Sequence, residues 1–349
     1  LIVIAALGLG RLITLPFAGP ISDRFGRKTS ALIGVLCYAV YFVGIVFSPN
    51  RYVAYAFAIM GGAANSFLDT GVIPACLEIL VESSGLATIF TKLAVSLGQL
   101  LLPTMIGFVA ANELSFKSIF FLMAALIIID GILIAFMPVP PMNSNVKSGE
   151  NAASQKMKFT PAAIALIAIG FTCTSTFQLW LNCNQEFGKL VGMADPSRIQ
   201  SYYSTGTIIA VLLTAFLMKK KVQPLKFLVL YPAIAMTMLI IVYIVRTPFI
   251  CLLGGFVIGF SAAGGVLQMA TAAANDMFPA NKGKITSIIM IASSLANYII
   301  LNIAGILTKN GGAEGPLHVI LLNIGITFIG ILLAVFVNSQ YRKGKVKAS

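Results

Sequence analysis

The residues Gly19-Pro20-Ile21-Ser22-Asp23-Arg24-Phe25-Gly26-Arg27-Lys28 interrupt two long apolar runs with a short stretch that carries two glycines and four charges. Hydrocarbon cannot solvate such charges, so the stretch is expected to be a turn in water between two membrane spans. Gly19 and Gly26 permit a tight backbone, and Asp23 can cap a helix start or meet the positive end of a neighbouring helix. Arg24, Arg27 and Lys28 can make charge-assisted bonds to nearby carboxylates.

The rest of the chain agrees with a membrane setting. Of 349 residues, 58% are hydrophobic and only 10% charged, with a mean hydropathy of +0.94. That is more apolar surface than a soluble core of this length hides, and it predicts a polytopic all-α membrane protein. A helix needs about 20 apolar residues to cross the bilayer. Eleven spans are read on that basis, at 1–18, 29–48, 52–77, 86–111, 117–137, 161–184, 199–218, 226–245, 249–274, 285–308 and 317–338. The polar stretch 138–160 is read as a linker between an N-terminal bundle, 1–137, and a C-terminal bundle, 161–349, that ends in a short basic tail.

The net charge of +13 is sorted by side rather than gathered on one face, which argues against nucleic acid as a partner. With these spans, one side holds Arg24, Arg27, Lys28, Lys92, Lys147, Lys156, Lys158, Lys219, Lys220, Lys221, Lys226, Lys282, Lys284, Arg342, Lys343, Lys345 and Lys347, which is 17 of the 24 basic residues. The other holds Arg51, Lys117, Lys189, Arg198, Arg246 and Lys309, and Arg11 lies within a span. The richer side faces the cytoplasm. Five cysteines and one histidine have no metal spacing, so no disulfide framework, metal or cofactor is expected, and neither is an enzyme active site.

An internal repeat organises the spans. Residues 61–107 align without a gap on 259–305 at an offset of 198, pairing Gly61 with Gly259, Glu78 with Asp276, Gly85 with Gly283 and Gln99 with Asn297. The same offset carries 1–20 onto 199–218 and leaves the span at 161–184 without a counterpart, so a further first helix is expected outside this sequence. The chain begins in mid-run at Leu1, and no signal peptide is read.

The order Gly-x-x-x-Asp-Arg-x-Gly-Arg-Lys at 19–28 closely resembles the loop between the second and third helices of major facilitator superfamily transporters. With the repeat, the resemblance implies the fold of that family: two pseudo-symmetric bundles of six helices, of which eleven helices lie here. It implies transport by alternating access, in the cell membrane, with the signature loop locking the cytoplasmic side and releasing it in each cycle. Glu78 and Asp276 end equivalent spans; Glu78 is expected to pair with Arg27 or Arg24, and Asp276 with Lys219, Lys220 and Lys221. The second half departs from the pattern, because Met218-Lys219-Lys220-Lys221-Val222-Gln223-Pro224 lacks the Asp and the Gly-Arg pair. The mid-helix arginine and the Gly-Pro-x-x-Gly-Gly signature of many drug exporters are absent too.

Polar residues inside spans mark a candidate pathway. Arg11 and Asp69 fall at similar depth and are expected to pair, as are Lys92 and Asp130. Asn65 stands one turn from Asp69, on a span that lines the cavity in the family, so Asp69 with Arg11 is the candidate for proton coupling. The C-terminal half offers neutral groups at helical spacing: Thr174, Gln178 and Asn182; Gln268, Thr271 and Asn275; Ser294, Asn297, Tyr298 and Asn302. These make either a polar wall for a solute or hydrogen-bonded glue between helices. Expected partners are a small polar solute, a proton and membrane lipid, in a monomer. Proton-coupled symport is the leading reading; proton-coupled export of drugs or metabolites and a non-transporting sensor are the alternatives.

Overall fold

The computed structural model describes residues 2–79, 84–137, 159–219, 224–278 and 282–342; at Glu78, Lys92, Asn275 and Asp276 it describes the backbone alone. Every regular element among the described residues is helical. In order these are α1 (Ile2–Phe25), α2 (Arg27–Val46), α3 (Arg51–Ile79), α4 (Ser84–Ala111), α5 (Lys117–Phe136), α6 (Pro161–Leu190), α7 (Arg198–Lys219), α8 (Pro224–Val245), α9 (Pro248–Ala262), α10 (Val266–Met277), α11 (Lys282–Asn310) and α12 (Gly315–Arg342). Nine spans among the described residues are long and apolar enough to cross a membrane, and Leu93–Val109 in α4 is a shorter apolar stretch.

The offset of 198 reappears in the helix boundaries. Ser84 and Lys117, which open α4 and α5, map onto Lys282 and Gly315, which open α11 and α12. Local chemistry fixes other starts. Thr160 accepts a hydrogen bond from the Ala163 amide at 3.3 Å with Pro161 at the first helical position, and Thr247 accepts from the Ile250 amide at 3.4 Å with Pro248 in the same place.

The charged stretch differs from the turn expected at 19–28. Helix α1 runs on to Phe25 and α2 begins at Arg27, so the joint is the single residue Gly26. Neither Gly19 nor Pro20 ends the helix, since breakers are tolerated where neighbouring helices satisfy the backbone. Gly26 has φ 94° and ψ 154°, a conformation reserved for glycine. Gly26→Val is therefore expected to destabilise the protein by about 1–3 kcal/mol. A detergent melting curve superimposable on that of the unmodified protein would contradict this assignment.

The span expected at 249–274 is also divided. It breaks over Ala263, Gly264 and Gly265, and α10 restarts from Gly265 at φ 118°. A break at membrane depth leaves carbonyls that need donors. Helix α7 supplies them: Thr214 donates to the Gly264 carbonyl at 3.1 Å, and Thr207 to the Gly259 carbonyl at 3.2 Å. The Tyr231 hydroxyl meets Thr214 at 3.0 Å.

The chain divides into two compact units, Leu1–Ala94 with Leu101–Val146, and Val95–Leu100 with Lys147–Ser349. In the first, α1 and α2 pack on α3, and α2 on α5. In the second, α6 packs against α10, α11 and α12, while α9 packs against α7 and α8. Burial ranks these helices: the apolar window of α6 is 67% buried and that of α5 only 11%. Exposed Phe121, Ile128, Ile129, Leu133 and Phe136 make α5 a lipid-facing rod.

Helix crossings are tight where glycines meet. Gly62 on α3 lies against the Leu7 carbonyl of α1, and Gly10 against the Ile59 carbonyl. In the second unit Gly259 of α9 lies against the Tyr203 carbonyl of α7, and Gly206 against the Phe256 carbonyl. Without a hydrophobic driving force between helices in lipid, such backbone contact is a main source of cohesion.

Candidate functional site

In the first unit the polar centre is built on α1, α2 and α3. Arg11 lies about 21 Å and Asp69 about 15 Å from the C-terminal ends of α1 and α3 at 1.5 Å per residue. The Arg11 Nη2 donates to Asp69 Oδ2 at 2.6 Å, with side-chain exposures of 23% and 37%. The pair is thus partly exposed and not sealed in the core of the unit. Ser66 donates to the Arg11 carbonyl at 3.2 Å, fixing α1 against α3.

Asn65 accepts a hydrogen bond from the Tyr38 hydroxyl at 2.7 Å, and the Tyr38 ring stacks on Phe42 with centroids 5.5 Å apart. Tyr38 is a residue that the sequence reading did not single out. It lies on α2, and no charge or polar spacing in that helix marks it.

The second unit holds the neutral groups, and they divide by role. Thr174 is buried and donates to Ser293 at 2.8 Å, which makes it glue between α6 and α11 and removes it from any open wall. Gln178 and Asn182 remain half-buried on α6, and Asn182 Nδ2 donates to Gln178 Oε1 at 3.0 Å. Gln268 and Thr271 are half-buried on α10; the Thr271 hydroxyl donates to the Leu267 carbonyl at 2.8 Å and keeps its oxygen as an acceptor. Asn297 on α11 is half-buried, and its Oδ1 meets no donor among the described residues. Both α10 and α11 pack on α6.

At the joint around Gly26, Asp23 caps no helix; the start of α2 has no side-chain cap. It instead accepts from Arg27 Nη1 at 2.6 Å, four residues on, and Arg27 also donates to Ser22 at 3.0 Å. Ser22 in turn donates to the Thr70 carbonyl at 2.7 Å, tying the joint to α3. Lys28 reaches a carbonyl, not a carboxylate: its Nζ donates to the Met137 carbonyl at the end of α5, at 3.3 Å. The Arg24 guanidinium lies over the Phe25 ring at 5.4 Å. The expected pairs of Glu78, of Asp276 and of Lys92 with Asp130 lie outside the described residues.

The sum is a helical membrane protein with a repeated five-helix plan, a charged joint at Gly26 and, among the described residues, one ion pair at depth. A model of the Major Facilitator Superfamily matches residues 2–300. The chain belongs to this superfamily. Among its relatives, the uncharacterized MFS-type transporter YfkL of Bacillus subtilis is 35% identical over 351 residues, covering 98% of this chain and 87% of YfkL. The inner membrane transport protein YdiN of Escherichia coli is 34% identical over 350 residues, covering 97% of this chain and 80% of YdiN. The solved D-xylose-proton symporter shares the fold, with a TM-score of 0.72 over 96% of this chain and 85% of that one, at 18% identity. This superfamily member is a multi-pass transporter of the cell membrane and not an enzyme.

Proposed function

We propose that this transporter takes up a small polar solute together with protons by alternating access, with residues 1–137 and 161–349 as its two bundles. What carries the reading is the Arg11–Asp69 pair, a partly exposed carboxylate at membrane depth with one ionic partner. A proton on Asp69 removes the attraction that holds Arg11, so one protonation event switches the contact between α1 and α3. Neutral donors and acceptors at Asn65, Gln178, Asn182, Gln268, Thr271 and Asn297 suit hydroxyl or amide groups on the solute better than a flat apolar drug. The sugar–proton symporter that shares the fold is consistent with this reading. Asp23, Arg24, Arg27 and Lys28 form the proposed cytoplasmic latch, with Glu78 as the proposed partner of Arg27 or Arg24, and Asp276 as that of Lys219, Lys220 and Lys221 in the second half.

A thermal-shift screen of the purified transporter against sugars, carboxylates, nucleosides and drugs tests the solute class. A ligand at about 100 times its Kd adds about 2.7 kcal/mol to the folded state. Uptake of the hit into proteoliposomes is expected to rise with an inward proton gradient and to collapse with a protonophore. Uptake indifferent to the gradient overturns the coupling, and stabilisation by drugs alone favours export.

A further inference from the structure

The ion pair with Asp69 uses little of Arg11. Only Nη2 reaches the carboxylate, at 2.6 Å, and Nη1 makes no bond among the described residues. A guanidinium carries several N–H donors and no acceptor, and its fork suits a carboxylate best when two of them bond in parallel. Arg11 thus holds Asp69 end-on and keeps a donor in reserve, on a side chain that is only half-buried.

A second donor stands beside it. Asn65 lies one turn before Asp69 on α3, next to Ser66, whose hydroxyl bonds the Arg11 carbonyl at 3.2 Å. The Tyr38 hydroxyl has no other acceptor among the described residues, so its proton goes to Asn65 Oδ1 at 2.7 Å and leaves Nδ2 as the unused end of the amide. The charges of Arg11 and Asp69 both act on the Tyr38 hydroxyl, which puts the tyrosine, the amide and the ion pair in one cluster. Tyr41 stands behind Tyr38, with ring centroids 6.2 Å apart. The other charges around the C-terminal end of α1 are engaged at the joint: Asp23 with Arg27, Lys28 with the Met137 carbonyl, and Arg24 over the Phe25 ring.

We propose that Arg11 and Asn65 form the binding site for a carboxylate on the solute, available to it only when Asp69 carries a proton. The inference rests on the reading of Asp69 as the proton site. With Asp69 ionised the pair is neutral, and a second carboxylate is repelled by the first. A proton on Asp69 ends the ion pair and leaves the guanidinium charge uncompensated at membrane depth, where a bare charge is costly. A solute carboxylate supplies the missing charge: it bonds Nη1 and Nη2 in parallel and accepts from Asn65 Nδ2. One proton on Asp69 and one negative charge on the solute cancel, so the two cross the membrane together with no net charge. The solute is therefore a small organic monocarboxylate.

Probe pairs that differ only in having a carboxylate or an alcohol at one carbon test the class: glycerate with glycerol, gluconate with sorbitol, and mandelate with phenylglycol. Binding to the purified full chain is followed between about pH 5.5 and 7.5, where these acids stay ionised. At least one acid is expected to bind tighter than its alcohol. Its apparent Kd is expected to rise by up to about tenfold per pH unit, because only the protonated fraction of Asp69 is competent. In Asp69→Asn that pH dependence is expected to vanish. In the double variant Arg11→Gln with Asp69→Asn, acid and alcohol are expected to bind alike. Alcohols that bind the unmodified protein as well as their acids overturn the proposal, as does the absence of binding by every acid, or a double variant that keeps the preference for the acid. Should the variants not fold, the contrast within each pair and the pH slope of the unmodified protein decide. In proteoliposomes, uptake of the acid is expected to follow the pH gradient and carry no current. Proton-driven uptake of an alcohol with an inward current leaves the symport reading standing and overturns this one. Acid uptake indifferent to the gradient overturns symport, and the binding measurements, which need no gradient, still decide whether the solute carboxylate sits on Arg11.

Discussion

Asp69→Asn is expected to abolish gradient-driven uptake while leaving a folded protein. The substitution leaves the Arg11 charge unneutralised at membrane depth, where an unpaired basic side chain costs about 2.5–3.5 kcal/mol. Part of that cost is relieved because the pair is partly exposed, at 23% and 37%. A loss of that size also corresponds to about a 50–300-fold change in any equilibrium it biases. The double variant Arg11→Gln with Asp69→Asn separates the two roles of the pair. Removing both charges restores the folding balance but supplies no group that takes up a proton. Purified double variant that is well folded, binds solute and yet fails to concentrate it against a gradient is the expected result. Concentrative uptake at the unmodified rate by the double variant would reduce the pair to scaffolding.

A leucine at Gly62 or Gly259 is expected to prevent assembly of its unit. Each glycine lies against a backbone carbonyl of the crossing helix, Leu7 in one case and Tyr203 in the other. A side chain can rotate away from an intruding methyl, but a carbonyl inside a helix moves only if the whole helix moves. Displacing α1 from α3 also strains the Ser66 bond to Arg11 and the Ser22 bond to Thr70. Displacing α7 from α9 removes the hydroxyls that serve the break at Gly264. The penalty belongs to the exceptional class above about 4–5 kcal/mol. It is read as loss of the monodisperse peak in size-exclusion chromatography; a normal peak for either variant would contradict the crossing geometry. Leucine at Gly19, which has open space around it, is the matched control and is expected to be tolerated.

Much of the fold was legible in the residues because the membrane imposes few choices. Runs of apolar residues gave the helices, and the offset of 198 gave equivalent helix starts in both halves. The joint at Gly26 was legible in kind but not in extent. Glycine and proline end helices in water, whereas in α1 both Gly19 and Pro20 stay helical. The break after Ala262 carried a signal in the adjacent Gly264 and Gly265, yet hydropathy alone runs straight through it.

The candidate site was less legible, since periodicity places residues on one face of a helix without saying what that face meets. Thr174 shares a stripe with Gln178 and Asn182 but is used up by Ser293. Arg11 and Asp69 could be matched because unpaired charges at depth are rare enough to find each other on paper. Tyr38 carries no such mark, and only the packing of α2 on α3 brings it into view.

The hydroxyls of α7 bear on how this protein is made. Thr207 and Thr214 find acceptors on α9 and the break that follows it, synthesised 52 and 50 residues later. When α7 leaves the ribosome it is a mediocre segment for direct partition into lipid, with Gln200, Ser201, Ser204 and Thr205 adding to its polarity. Tyr231 of α8 meets Thr214, and the Gly259 and Gly264 carbonyls complete the set. Insertion of this half is therefore expected to involve α7, α8 and α9 together and not α7 as a single span.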